Sequence, residues 1–130
     1  MTGTVPLPSG PDSLAVDEAT GTIYASVGAI SGAARPRGVA VINGQTDTVT
    51  ATIGLPGRPE DVAVNPATHF VYVVNRKLAD IWKISGTTDK VSAKIALPGP
   101  SSDVATDSAN NTVYTTPNSG GTHDLTVLKG

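Results

Sequence analysis

Pro59-Glu60-Asp61-Val62-Ala63-Val64-Asn65-Pro66-Ala67-Thr68-His69-Phe70-Val71-Tyr72-Val73-Val74-Asn75 places two short apolar runs on either side of a proline-containing turn. The same pattern stands 48 residues earlier, from Pro11 to Val27, with Leu14-Ala15-Val16-Asp17 and Ile23-Tyr24 as its runs. It returns 42 residues later, from Ser101 to Pro117, with Val104-Ala105-Thr106-Asp107 and Val113-Tyr114. Each run is short and rich in β-branched and aromatic residues, and no helical period extends over ten or more positions, so the runs read as strands.

With this repeat as template, each unit holds four strands. Strand a is expected at 13–16, 61–64 and 103–106, and strand b at 22–26, 70–74 and 112–116. Strand c is expected at 39–42, 81–84 and 125–128, and strand d at 49–53 and 91–95, with no third copy. The a-to-b turns open with Asp17, Asn65 and Asp107, whose side chains can bond the backbone two residues on. In the c-to-d turns, Gly44 and Gly86 are suited to a positive φ angle. Tyr24, Tyr72 and Tyr114 recur at one strand-b position and predict a packing layer, while Trp82 is expected to pack between units.

Four strands in a repeat of about 42 residues indicate an all-β fold, a β-propeller with three blades in this chain. The blades are expected at residues 6–53, 54–95 and 96–130. Thr4-Val5-Pro6-Leu7-Pro8 aligns with Thr52-Ile53-Gly54-Leu55-Pro56, which makes residues 1–5 a strand d without its own blade. Blade 3 lacks a strand d of its own. Three blades do not close a ring, since propellers take about four to eight. Two explanations fit: the chain is a piece of a longer propeller, or copies assemble. A homodimer gives six blades, with residues 1–5 of each copy pairing against strand c of the other's blade 3.

Tyr72-Val73-Val74-Asn75, preceded by Val62-Ala63-Val64-Asn65-Pro66-Ala67-Thr68, resembles the YVTN β-propeller repeat, akin to surface-layer and quinoprotein-dehydrogenase-like repeats. Val39-Ala40-Val41-Ile42-Asn43-Gly44-Gln45-Thr46-Asp47-Thr48-Val49 resembles the second half of that repeat. The resemblance implies a ring of about seven blades and an extracytoplasmic or secreted setting. It carries over no catalytic residue, because the family's defining positions are structural.

Composition excludes several functions. A net charge of −2 leaves no polybasic footprint for nucleic acid. No apolar run approaches the ~18 residues of a membrane span. Met1–Val5 has neither the basic region nor the apolar core of a signal peptide, so the compartment is left open. Without cysteine there are no disulfides, and two histidines cannot supply the four ligands of a structural zinc site. No metal and no cofactor is expected.

Charge sorts by face. Loops d-to-a and b-to-c share one end of a propeller, and that end receives all four arginines, Arg35, Arg37, Arg58 and Arg76, with Lys77, Asp12, Glu60, Asp61, Asp80, Asp103, His123 and Asp124. The opposite end carries Asp17, Glu18, Asp47, Asp89 and Asp107 against Lys90 and is acidic. Arg35, Arg37, Arg58, Glu60, Asp61, Arg76, Asp103 and His123 are the candidate binding residues for a polar or anionic ligand at the channel mouth. Salt bridges between neighbouring blades would use the same residues. The loop from Val27 to Gly38 is longer than its counterpart from Asn75 to Asp80 and suits a binding finger or a tolerated insertion. His69 reads as a simple turn residue. Two functions remain: a binding and assembly module, or a small lyase, lactonase or isomerase with His123 as acid or base.

Overall fold

The computed structural model describes residues 3–28, 37–117 and 125–130, and all its regular structure is antiparallel sheet. Blade 1 is β1 (Pro11–Asp17), β2 (Thr22–Val27), β3 (Gly38–Asn43) and β4 (Thr48–Gly54), hydrogen-bonded in that order. Blade 2 repeats it with β5 (Pro59–Asn65), β6 (Phe70–Asn75), β7 (Asp80–Ser85) and β8 (Lys90–Ala96). Blade 3 is β9 (Ser101–Asp107), β10 (Thr112–Pro117) and β11 (Thr126–Lys129), a sheet of three strands. Every expected strand is present, and most run a residue or two beyond the expected ends. Gly3–Val5 adopt no strand within the single chain. Among the described residues no helix is long and apolar enough to cross a membrane.

Alternation along each strand sends side chains to both faces of a blade, and each inner blade face is apolar. Tyr24, Val39, Val41 and Ile53 of blade 1 pack against Val62, Val64, Val71, Val73 and Ile84 of blade 2, with Trp82 partly buried beside them. The other face of blade 2 brings Ala63, Tyr72, Val74 and Ile81 against Val104 and Val113 of blade 3. Strand β5 lies beside both β1 and β9, so the first strand of each blade is innermost. Tyr24 and Tyr72 are fully buried, as the packing layer requires.

The turns repeat in atomic detail. Gly21, His69 and Asn111 end the a-to-b turns with φ of +74°, +62° and +50°. Their carbonyls accept the N–H of Gly44, Gly86 and Gly130 at 3.0, 2.8 and 2.8 Å. The c-to-d glycine therefore serves close approach and not a positive φ. A Cβ on Gly44 or Gly86 would stand 2.4 Å from that carbonyl oxygen. The positive φ of those turns falls on Asp47 and Asp89.

Candidate functional site

The loop end of blade 2 is built around buried Asn75. Its Oδ1 accepts the N–H of Arg58 at 2.9 Å and of Leu78 at 3.3 Å, and its Nδ2 donates to the Pro56 carbonyl. Arg76 N–H donates to the Arg58 carbonyl at 3.0 Å, which ties the d-to-a loop to the b-to-c turn. Gly57 sits against this amide with φ +76°, and a Cβ there would meet Asn75 Oδ1 at 2.5 Å. Arg37 completes the frame by donating from Nη1 to the Gly57 carbonyl at 3.0 Å.

Arg58 and Arg76 thus leave neighbouring, fixed backbone positions and turn to the same carboxylate. Glu60 Oε1 lies 3.5 Å from Arg76 and 4.0 Å from Arg58, with both guanidiniums half-exposed. Glu60 is mostly buried, and its Oε2 has no hydrogen-bond partner. Arg58, Arg76, Lys77 and Pro100 line a cleft of about 440 Å³. Two guanidiniums thus share one carboxylate oxygen, and Lys77 lines the cleft beside them. Guanidinium forks that are half-exposed and loosely paired are suited to carboxylate or phosphate oxygens. Nearby, burial raises the Asp80 carboxyl above its ordinary value, and the Trp82 indole and Lys94 offset only part of that.

Other candidates have partners in the framework. Asp61 Oδ1 accepts from Ser13 Oγ of blade 1 at 2.6 Å, and Oδ2 accepts the Val104 N–H of blade 3 at 2.9 Å. One carboxylate thereby joins three blades at their inner edges. Its repeat counterpart Asp103 is exposed. Arg35 and His123 lie outside the described residues. Among the described residues no three His, Cys, Asp or Glu side chains converge as a metal site would need.

The acidic end holds a pair that the sequence concealed. His69 Nδ1 lies 2.7 Å from Asp17 Oδ2, joining blade 2 to blade 1, while Asp17 Oδ1 accepts the Ala19 N–H at 3.0 Å. Between blades 2 and 3 the same positions carry Asn65 Nδ2, donating to Asn111 Oδ1 at 3.2 Å. His69 is therefore an inter-blade residue as well as a turn residue. In blade 3, Asn110 Nδ2 donates to Asp107, and this bond pulls that carboxyl below its ordinary range. Burial, reinforced by Asp89 and Asp17, pushes the Tyr24 hydroxyl up to about 12.

No family model matches the chain, and no curated protein matches it. Solved structures do. Hydrazine synthase from Kuenenia stuttgartiensis aligns over 99% of this chain and 36% of its own, with a TM-score of 0.78 at 19% identity. The gluconolactonase XC5397 from Xanthomonas campestris aligns over 87% of this chain and 36% of its own, with a TM-score of 0.65 at 15% identity. Apo AztD from Citrobacter koseri aligns over 78% and 28%, with a TM-score of 0.62 at 16% identity. All three are β-propeller proteins, and this chain has their fold. It spans about a third of their length.

Proposed function

We propose that the chain is a binding and assembly module of the propeller class, built on YVTN-type repeats, whose loop end takes a small anionic ligand. The observation that supports this is the cleft lined by Arg58, Arg76 and Lys77, whose two arginines meet the carboxylate of Glu60 only at long range. In this reading the guanidiniums of Arg58 and Arg76 grip the anion, Lys77 adds charge, and Glu60 holds the forks while the site is empty. Arg37 and Asp61 act as supports, since each bonds to another loop or blade. The enzyme alternative rests on His123, outside the described residues, and no structural observation favours it.

Calorimetric titration with inorganic phosphate and with citrate tests the site. Saturable binding is expected for at least one of them. The double variant Arg58→Ala, Arg76→Ala should weaken it by about tenfold or more, the scale of one lost charge-assisted bond. Equal affinity in the variant, or no binding of either anion, would overturn the assignment.

A further inference from the structure

At the turn end, the gap between blades 1 and 2 is built differently from the gap between blades 2 and 3. Tyr24 stands opposite Val41 on β2 and β3, and Tyr72 stands opposite Lys83 on β6 and β7. Val41 and Lys83 are therefore repeat equivalents, and so are Thr22 and Phe70. In blade 2, Lys83 Nζ lies 4.1 Å from the centre of the Phe70 ring, and Phe70 packs on the core shared with blade 3. In blade 1 the same two positions carry the shorter Thr22 and Val41. A cleft of about 210 Å³ stands there, lined by Thr22, Val41, Asn43, Gln45 and Thr50 of blade 1 and by Asp89 of blade 2.

The cleft holds hydrogen-bonding groups of both kinds without partners. Asn43 Oδ1 accepts the N–H of Gln45 at 2.8 Å and of Thr46 at 3.3 Å, which leaves the amide nitrogen of Asn43 as a donor. Thr50 Oγ1 donates to the Val41 carbonyl at 3.3 Å and keeps its own lone pairs. Among the described residues, no hydrogen bond engages the Gln45 amide or the Asp89 carboxylate. The blade 2 equivalents of Asn43 and Gln45 are Ser85 and Thr87, which bond to each other at 2.9 Å. The neighbouring Asp17–His69 pair is likewise closed on itself. None of the described lining residues is cationic, and Asp89 is near enough to help push the Tyr24 hydroxyl up.

We propose that this cleft binds a neutral polyol of about one sugar ring. A hydroxyl both donates and accepts, so a polyol can accept from the Asn43 and Gln45 amides while it donates to Asp89 and Thr50. The bond to Asp89 is charge-assisted and the strongest of the set. An anion would meet no positive side chain here. Calcium takes about six to eight oxygen ligands, and among the described residues no three acidic or histidine side chains converge. The volume lies below the ~300–1,000 Å³ of sites for drug-sized ligands, which limits the occupant to a small molecule. This site is separate from the arginine cleft at the loop end and stands or falls without it.

Proton–nitrogen correlation spectra of the full chain, titrated with D-glucose, D-galactose and myo-inositol at millimolar concentrations, test the proposal. At least one of the three should shift the Asn43 and Gln45 side-chain amide signals along a saturable curve. Thr22→Phe places in blade 1 the residue that blade 2 carries at the same position. It should keep the wild-type circular dichroism spectrum and abolish the shifts. Asp89→Asn preserves the shape of the cleft and should weaken binding by about tenfold, the scale of one charge-assisted bond. No saturable shift with any of the three polyols overturns the proposal. So do wild-type shifts in a folded Thr22→Phe variant, or a response to calcium chloride or ethanolamine and to none of the polyols. Should Thr22→Phe fail to fold, Asp89→Asn decides, and unchanged affinity in that variant overturns the site.

Discussion

The two ends of the blades spend their charges differently. At the turn end, Asp17 is fully buried and both its oxygens are bonded, one to His69 of the next blade and one to its own turn. At the loop end, Glu60 meets two arginines through one oxygen only, at long range, and its other oxygen has no partner. The turn end is thus fastened, and the loop end keeps charge in reserve.

The contrast breaks most visibly if Asp17 proves dispensable. Asp17→Ala strips His69 and the Ala19 N–H of their partner in a buried setting and should cost about 2–3 kcal/mol. Thermal unfolding should show this as a drop of roughly 10 °C for a domain of this size. His69→Ala should cost less, because the imidazole is partly exposed and its loss leaves only one carboxylate oxygen unpaired.

Alkaline titration probes the same end. The folded Tyr24 hydroxyl titrates at about 12, above the ordinary value of 10.0 that an unfolded chain would have. Between those values the unfolded state loses its proton first. The contribution is therefore intact below pH 10 and declines as pH rises toward 12. Denaturant midpoints measured across this window should fall in the wild type, and Tyr24→Phe should flatten the Tyr24 share of that slope. An unchanged slope would mean that the hydroxyl is not held by burial and by the turn-end acids.

Much of this division was legible in the sequence, and the remainder was hidden for a physical reason. Tyr24 and Tyr72 could be read as packing because repeats align equivalent positions, and equivalence implies a shared environment. Asp17 and His69 are not equivalent positions. They lie 52 residues apart, one opening a turn and the other closing the next blade's turn. Asn65 with Asn111 was the available signal, since those residues occupy the same two positions in the next pair of blades. Likewise, sorting charges by loop could group Arg37 with Arg58 and Arg76, but it could not show that Arg37 donates to the Gly57 carbonyl. Loop membership fixes an end of the blade. The direction of a long side chain is set by carbonyls and carboxylates brought near by the fold.

At the loop end the expected changes in stability are small, and the informative ones are in binding. Arg76→Ala removes one half-exposed ion pair and should shift stability by no more than about 0.5 kcal/mol, while anion affinity falls several-fold. Glu60→Gln sharpens the contrast further. In the proposed site the carboxylate would compete with an incoming anion for the same two guanidiniums, so neutralising it should raise affinity for phosphate or citrate by a few-fold. Unfolding should change little, since Oε1 makes only long contacts and Oε2 makes no hydrogen bond. If affinity falls instead, Glu60 orients the arginines more than it occupies them. The loop end would then be fastened like the turn end, and the distinction between the two would fail at its most exposed point.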